Sequence, residues 1–143
     1  MKKLIELNPK IVVTAYILID VICAGAGMGV PIFCILLGFP LGWYIARRIF
    51  IFTGYSSVTN SRILKLSFIA ASFTFLLMLA IWGRPILFLF DPTYDYQNFG
   101  HPFILYDPKI SFIGWLILMI IISPFLQLLT TIFASFITLT KRK

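Results

Sequence analysis

Asp20 is the residue from which chemistry could start, because it is the one carboxylate in an otherwise apolar stretch running from Ile11 to Ala46. A helix that begins at Ile11 carries Asp20 about 15 Å along its axis at 1.5 Å per residue. That is the midplane of a hydrocarbon layer about 30 Å thick. An ionised carboxylate at that depth costs about 2.5–3.5 kcal/mol on insertion scales, so Asp20 must be paired, hydrated or protonated. Such a group can exchange protons or hold a cation, and it can equally bind neighbouring helices together through hydrogen bonds. Counting depth along the other apolar runs places Thr74 and Gln127 at a similar level, so the expected intramembrane polar cluster is Asp20, Thr74 and Gln127.

A second set of candidates lies in the segment RPILFLFDPTYDYQNFGHPFILYDPK, which holds Asp91, Asp95 and Asp107 together with His101, the single histidine. Carboxylate and imidazole are the usual metal ligands and general bases, so these four residues are the candidates for catalysis on a lipid-phase substrate at a membrane surface. Their spacing matches no metal motif. The competing reading is structural: Asp91 pairs with Arg84 and Asp107 with Lys109, exposed pairs worth less than about 1 kcal/mol. Phe88, Phe90, Tyr94, Tyr96, Phe99, Phe103 and Tyr106 in the same segment suit the aromatic belt of a membrane interface.

Other chemistries find no pattern. There is no GxSxG elbow, and neither Cys23 nor Cys34 has a histidine at comparable depth. The glycines of GAGMGVP follow a membrane helix rather than a soluble strand, which removes a phosphate-cradling loop. One histidine cannot supply paired haem ligands, and no CxxC is present. No cofactor or metal is expected, and the cysteines read as buried free thiols.

The elements that must position these residues follow from composition and length. Of 143 residues, 60% are hydrophobic and 12% charged, and the mean hydropathy is +0.99; lipid is the solvent such a chain requires. The net charge of +7 would suggest nucleic acid in a soluble protein, but the basic residues flank apolar runs and so read as topology, with no nucleic-acid partner. Ile11 to Ala46 is about 54 Å long as one helix, too long for a bilayer, so Gly25-Ala26-Gly27-Met28-Gly29-Val30-Pro31 must turn it back.

The result is an all-α integral membrane protein, one domain over residues 1–143. Its four transmembrane helices, near 11–28, 31–52, 66–83 and 111–139, form two antiparallel hairpins, with an aromatic outer loop at 84–110. Residues 53–65 read as a cytoplasmic loop whose Ser57, Thr59 and Asn60 can cap the third helix. Arg84-Pro85 ends that helix, the alternative being continuation through Phe90. The last run exceeds a bilayer and needs tilt or a kink at Pro124. The polar residues of 1–10 and Asp20 argue against a cleaved signal peptide.

With both termini cytoplasmic, Lys2, Lys3, Lys10, Arg47, Arg48, Arg62, Lys65, Lys141, Arg142 and Lys143 lie inside, and only Arg84 and Lys109 lie outside. The positive-inside rule selects this even number of spans. The expected location is a plasma membrane, of prokaryotic cytoplasmic type.

Four short helices with an acidic residue at mid-depth of the first resemble the small multidrug exporters, from which the long aromatic outer loop departs. That resemblance implies an oligomeric transporter. Three functions are open from sequence: a non-catalytic accessory or interaction subunit of a larger membrane protein, an oligomeric proton- or cation-coupled transporter or channel using Asp20, and a membrane enzyme using the outer loop. Gly25-x-x-x-Gly29 and Gly38-x-x-x-Gly42 are small-residue pairs suited to close helix packing. For Gly38 and Gly42 that packing is on a neighbouring helix or on a second copy, or else the pair marks a kink at Pro40.

Overall fold

The computed structural model describes residues 8–26, 32–53, 57–98 and 106–140. These are helical almost throughout and contain no strand. The first helix, α1, runs Pro9–Ala26. It begins before Ile11 because Asn8 caps it: the Lys10 backbone N–H donates to Asn8 Oδ1 at 3.1 Å, and Pro9 takes the first helical position, where its missing N–H costs nothing. Helix α2, Ile32–Thr53, accommodates Pro40 in its interior. Residues 27–31, where the tight turn was expected, and Gly29 with them, lie outside the described residues.

Helix α3 is longer than the sequence reading, running Ser57–Ile86. The expected loop at 53–65 is therefore mostly helix: Asn60, Ser61, Arg62 and Lys65 are exposed, while Thr59 and Ile63 are buried. At the far end the helix passes through Pro85, correcting the expected stop at Arg84. A proline so close to a helix terminus forfeits one backbone bond, and the chain then tightens into a 3₁₀ turn at Leu87–Phe90. The segment expected as a loop from 84 accordingly starts as helix.

The last rod is continuous over Pro108–Thr140. It is built as α4, Pro108–Ile117, a π turn at Leu118–Ile122, and α5, Ser123–Thr140. Pro124 supplies the reason for the π turn: its ring would press on the carbonyl of Ile120 four residues back, and widening the helix there relieves the clash.

Packing centres on α2 against α5, and two glycines permit it. A Cβ at Gly38 would collide with Thr130 Oγ1 and lie 2.8 Å from the Gln127 carbonyl oxygen; one at Gly42 would collide with the Thr131 carbonyl oxygen and lie 3.0 Å from Ala134 Cβ. The Gly38 and Gly42 stripe is thus filled from within the chain. Hydroxyls then reach across: Thr130 Oγ1 donates to the Ile35 carbonyl at 2.9 Å and Ser135 Oγ to the Gly42 carbonyl at 2.9 Å. One apolar cluster of Ile45, Ala46, Ile49, Ile63 and Leu139 closes one end of the bundle, and another of Cys34, Met78, Trp115 and Met119 fills the opposite half.

The surface is inverted relative to a water-soluble bundle. Asp20, Ser67, Thr74 and Ser135 are fully enclosed, whereas Leu18, Phe68 and Phe133 are each more than half exposed. Apolar exposure along whole rods is incompatible with water and suits lipid. Three rods, Ile32–Phe52, Thr59–Phe90 and Pro108–Thr140, are long and apolar enough to cross a membrane. Helix α1 is shorter than these three rods, with 18 residues, about 27 Å.

Candidate functional site

The structure brings the three mid-depth residues into one hydrogen-bonded chain and adds a fourth. Thr74 Oγ1 on α3 lies 2.7 Å from Asp20 Oδ2 on α1. Tyr16 OH lies 3.0 Å from Thr74 Oγ1, and Gln127 Nε2 on α5 donates to Tyr16 OH at 3.2 Å. Each hydroxyl has one proton. With Thr74 donating to Asp20, Thr74 Oγ1 accepts from Tyr16 OH, whose one proton is shared between Thr74 Oγ1 and the Ala70 carbonyl, and Tyr16 OH accepts from Gln127. The backbone anchor of the chain is the Ala70 carbonyl, 3.2 Å from Tyr16 OH and 3.3 Å from Thr74 Oγ1.

Helix geometry explains why these four meet. Tyr16 and Asp20 are four residues apart and so share a face of α1, and Ala70 and Thr74 share a face of α3 in the same way. The ring of Tyr16 is held edge-on against Phe73, with centroids 6.2 Å apart. Depth counting found Thr74 and Gln127 but missed Tyr16, although its four-residue offset from Asp20 was visible. Two acceptors at the extremes of the chain, Asp20 Oδ1 and Gln127 Oε1, are buried without a hydrogen-bond partner. Such atoms are costly away from water, and either is suited to accept from a proton-bearing or cationic group.

The outer candidates are arranged differently. Asp91 Oδ1 accepts from the Thr93 backbone N–H at 2.9 Å and from its hydroxyl at 2.7 Å. Asp95 Oδ1 accepts from Gln97 N–H at 2.9 Å. Asp107 caps α4, accepting from Ile110 N–H at 3.0 Å. Each is bonded to its own stretch of chain, the Asx-turn and N-cap habit of aspartate. His101 lies outside the described residues, and among those described no group of acids, cysteines and histidines is placed to hold a metal.

The hydrogen bonds from Thr93 hold the exposed Asp91 carboxyl below the usual carboxylate range. Its turn is thus intact above that range and is lost only as pH falls through the lowered value. Among the described residues, Phe88, Tyr94 and Tyr96 of this segment pack with Phe112 into a folded cluster. Phe88 and Tyr94 stack at 4.4 Å, Tyr94 meets Tyr96 edge-on at 5.1 Å, and Tyr96 reaches Phe112 at 5.5 Å while its hydroxyl donates to the Phe88 carbonyl at 2.9 Å. Burial pushes the Tyr94 phenol up, and Lys109 Nζ lies 5.9 Å above the Tyr96 ring.

Compared with protein-family models, with curated proteins and with solved structures, the chain finds no match.

Proposed function

We propose that this chain is a small polytopic membrane protein, four spans with both ends on the cytoplasmic side of a plasma membrane, that serves as a non-catalytic accessory or interaction subunit of a larger membrane protein. One observation carries the reading: every aspartate the structure describes is bonded within the chain. Asp20 holds α1 to α3 through Thr74, and Asp91, Asp95 and Asp107 each shape their own turn or cap. The enzyme reading would need acids converging on a cleft, whereas these three point into separate local bonds. What the fold offers outward is apolar helix surface, which in lipid recruits other helices by close packing.

Purification in mild detergent followed by native mass spectrometry tests this. The expected result is a complex of fixed stoichiometry with a larger membrane protein, retained by Asp20→Asn. A chain that remains alone at every detergent concentration argues against it.

A second reading has its own support. Asp20 Oδ1 and Gln127 Oε1 are unpartnered and buried, which suits an oligomeric transporter that loads a proton or a cation at mid-membrane. Under that reading Asp20→Asn abolishes proton-coupled flux in proteoliposomes while the bundle stays folded; unchanged flux removes it.

A further inference from the structure

Two hollows between the helices meet at one arginine. The first, about 310 Å³, is a groove among α1, α2 and α3, walled by apolar side chains such as Val13, Ile17, Leu41 and Ile69. The second, about 410 Å³, lies at the bundle end formed by the C-terminus of α2 and the N-terminus of α3, and its lining includes Arg48, Arg62 and Lys65. Arg48 and Leu66 belong to both, so the hollows adjoin at these two side chains. Each reaches the size range of small-ligand sites, roughly 300–1,000 Å³.

The chemistry of the two differs sharply. Among the described residues no acid lines either hollow, and the basic one brings three cations together where the apolar one ends. Arg48 is already positioned: its guanidinium donates to Tyr44 OH and lies over the Tyr44 and Phe52 rings. Arg62 and Lys65 are exposed one turn apart on α3, free to swing over the opening.

We infer that these adjoining hollows together hold one anionic phospholipid, its phosphate among Arg48, Arg62 and Lys65 and one acyl chain along the apolar groove. Charge complementarity selects the headgroup, since a basic pocket between membrane helices attracts anionic lipid from the leaflet its cations face. The apolar continuation selects a lipid over a soluble anion, because a free phosphate would leave the groove unused. Tyr16 forms part of the groove wall while its hydroxyl joins the Asp20 chain, so an acyl chain seated there packs on the outer side of that chain and braces α1.

The inference requires the bundle to sit in a bilayer and is independent of any larger partner. The full chain is purified in neutral detergent, mixed with equimolar palmitoyl-oleoyl phosphatidylglycerol and phosphatidylcholine, and examined by native mass spectrometry. One phosphatidylglycerol per chain is expected to be retained, and millimolar inorganic phosphate should not displace it. Each cation near an anionic headgroup is worth about fivefold in affinity, so Arg62→Gln with Lys65→Gln should cut the preference about thirtyfold. Those positions are exposed, and an unchanged circular dichroism spectrum and melting curve will show that the fold survives. Ile69→Trp, which fills the groove, should reduce retention of both lipids. Equal retention of the two lipids by the native chain, a preference undiminished by the double substitution, or displacement by phosphate alone overturns the proposal.

Discussion

Thr74 is the residue on which the buried hydrogen-bonded chain turns, since it receives Tyr16 and passes a hydrogen bond to Asp20. Interhelical hydrogen bonds in membranes average about 0.6 kcal/mol and reach about 1.7, and a carboxylate acceptor places this one toward the top of that range. Thr74→Val, which keeps the shape and removes the hydroxyl, should therefore lower stability by about 1.5 kcal/mol in detergent unfolding. Tyr16→Phe breaks the same chain one link earlier. Because the two links are consecutive, the double variant should lose less than the sum of the single losses; strict additivity would show that the bonds act independently. Of this site, Asp20, Thr74 and Gln127 were legible from depth alone, because a bilayer fixes a common ruler for every helix. Tyr16 was not read, since its amphipathic ring looked at home on any membrane face. The roles of Asp91, Asp95 and Asp107 were legible only as residue types: each follows the turn and cap preferences of aspartate, which composition cannot distinguish from a ligand cluster until the backbone is placed.

At the scale of elements, the glycines of α2 decide how close α5 can come. Gly42→Leu puts a side chain where the Thr131 carbonyl already stands, so α2 must back away and the Ser135 bond to the Gly42 carbonyl is lost with it. Overpacking of this kind costs about 1–3 kcal/mol, and the lost hydrogen bond adds to it. The contrast is Gly25, where an added Cβ meets nothing within 4 Å; Gly25→Ala should leave melting unchanged or raise it, because alanine is the better helix former by about 0.5–1 kcal/mol. Asp107→Ala should cost about 1 kcal/mol through loss of the α4 cap, measurable in the same unfolding experiment. The apolar runs made all four rods legible, but the starts expected near 11 and 111 fall at Pro9 and Pro108, because Asn8 and Asp107 cap helices that reach beyond the apolar runs. The early start of α3 was hidden because Ser57 to Lys65 is polar, and hydropathy cannot separate a polar helix outside the hydrocarbon from a loop. Pro85 misled for a related reason: a proline breaks a helix interior, yet near a terminus it removes only one bond.

For the molecule as a whole, the inverted surface and the distribution of charge make separate demands. Exposed leucine and phenylalanine along every rod call for lipid around the bundle, but they say nothing of which way it faces. Orientation rests on the cations. Lys10, Arg47, Arg48, Arg62 and Lys65 gather at the bundle end formed by the start of α1, the end of α2 and the start of α3, and Arg84 and Lys109 stand at the other. Under the proposed topology, the first group is the one the positive-inside rule would assign to the cytoplasm. In a background with Cys23 and Cys34 replaced by alanine, Arg62→Cys and Asp95→Cys give single thiols at opposite ends, both at exposed positions. A membrane-impermeant maleimide added to intact cells should label Asp95→Cys and spare Arg62→Cys until the membrane is opened. The reverse pattern would invert the topology and move the proposed lipid site to the outer leaflet. Labelling of both from outside would mean that Ser57–Ile86 does not cross the bilayer, and the four-span arrangement would fall with it.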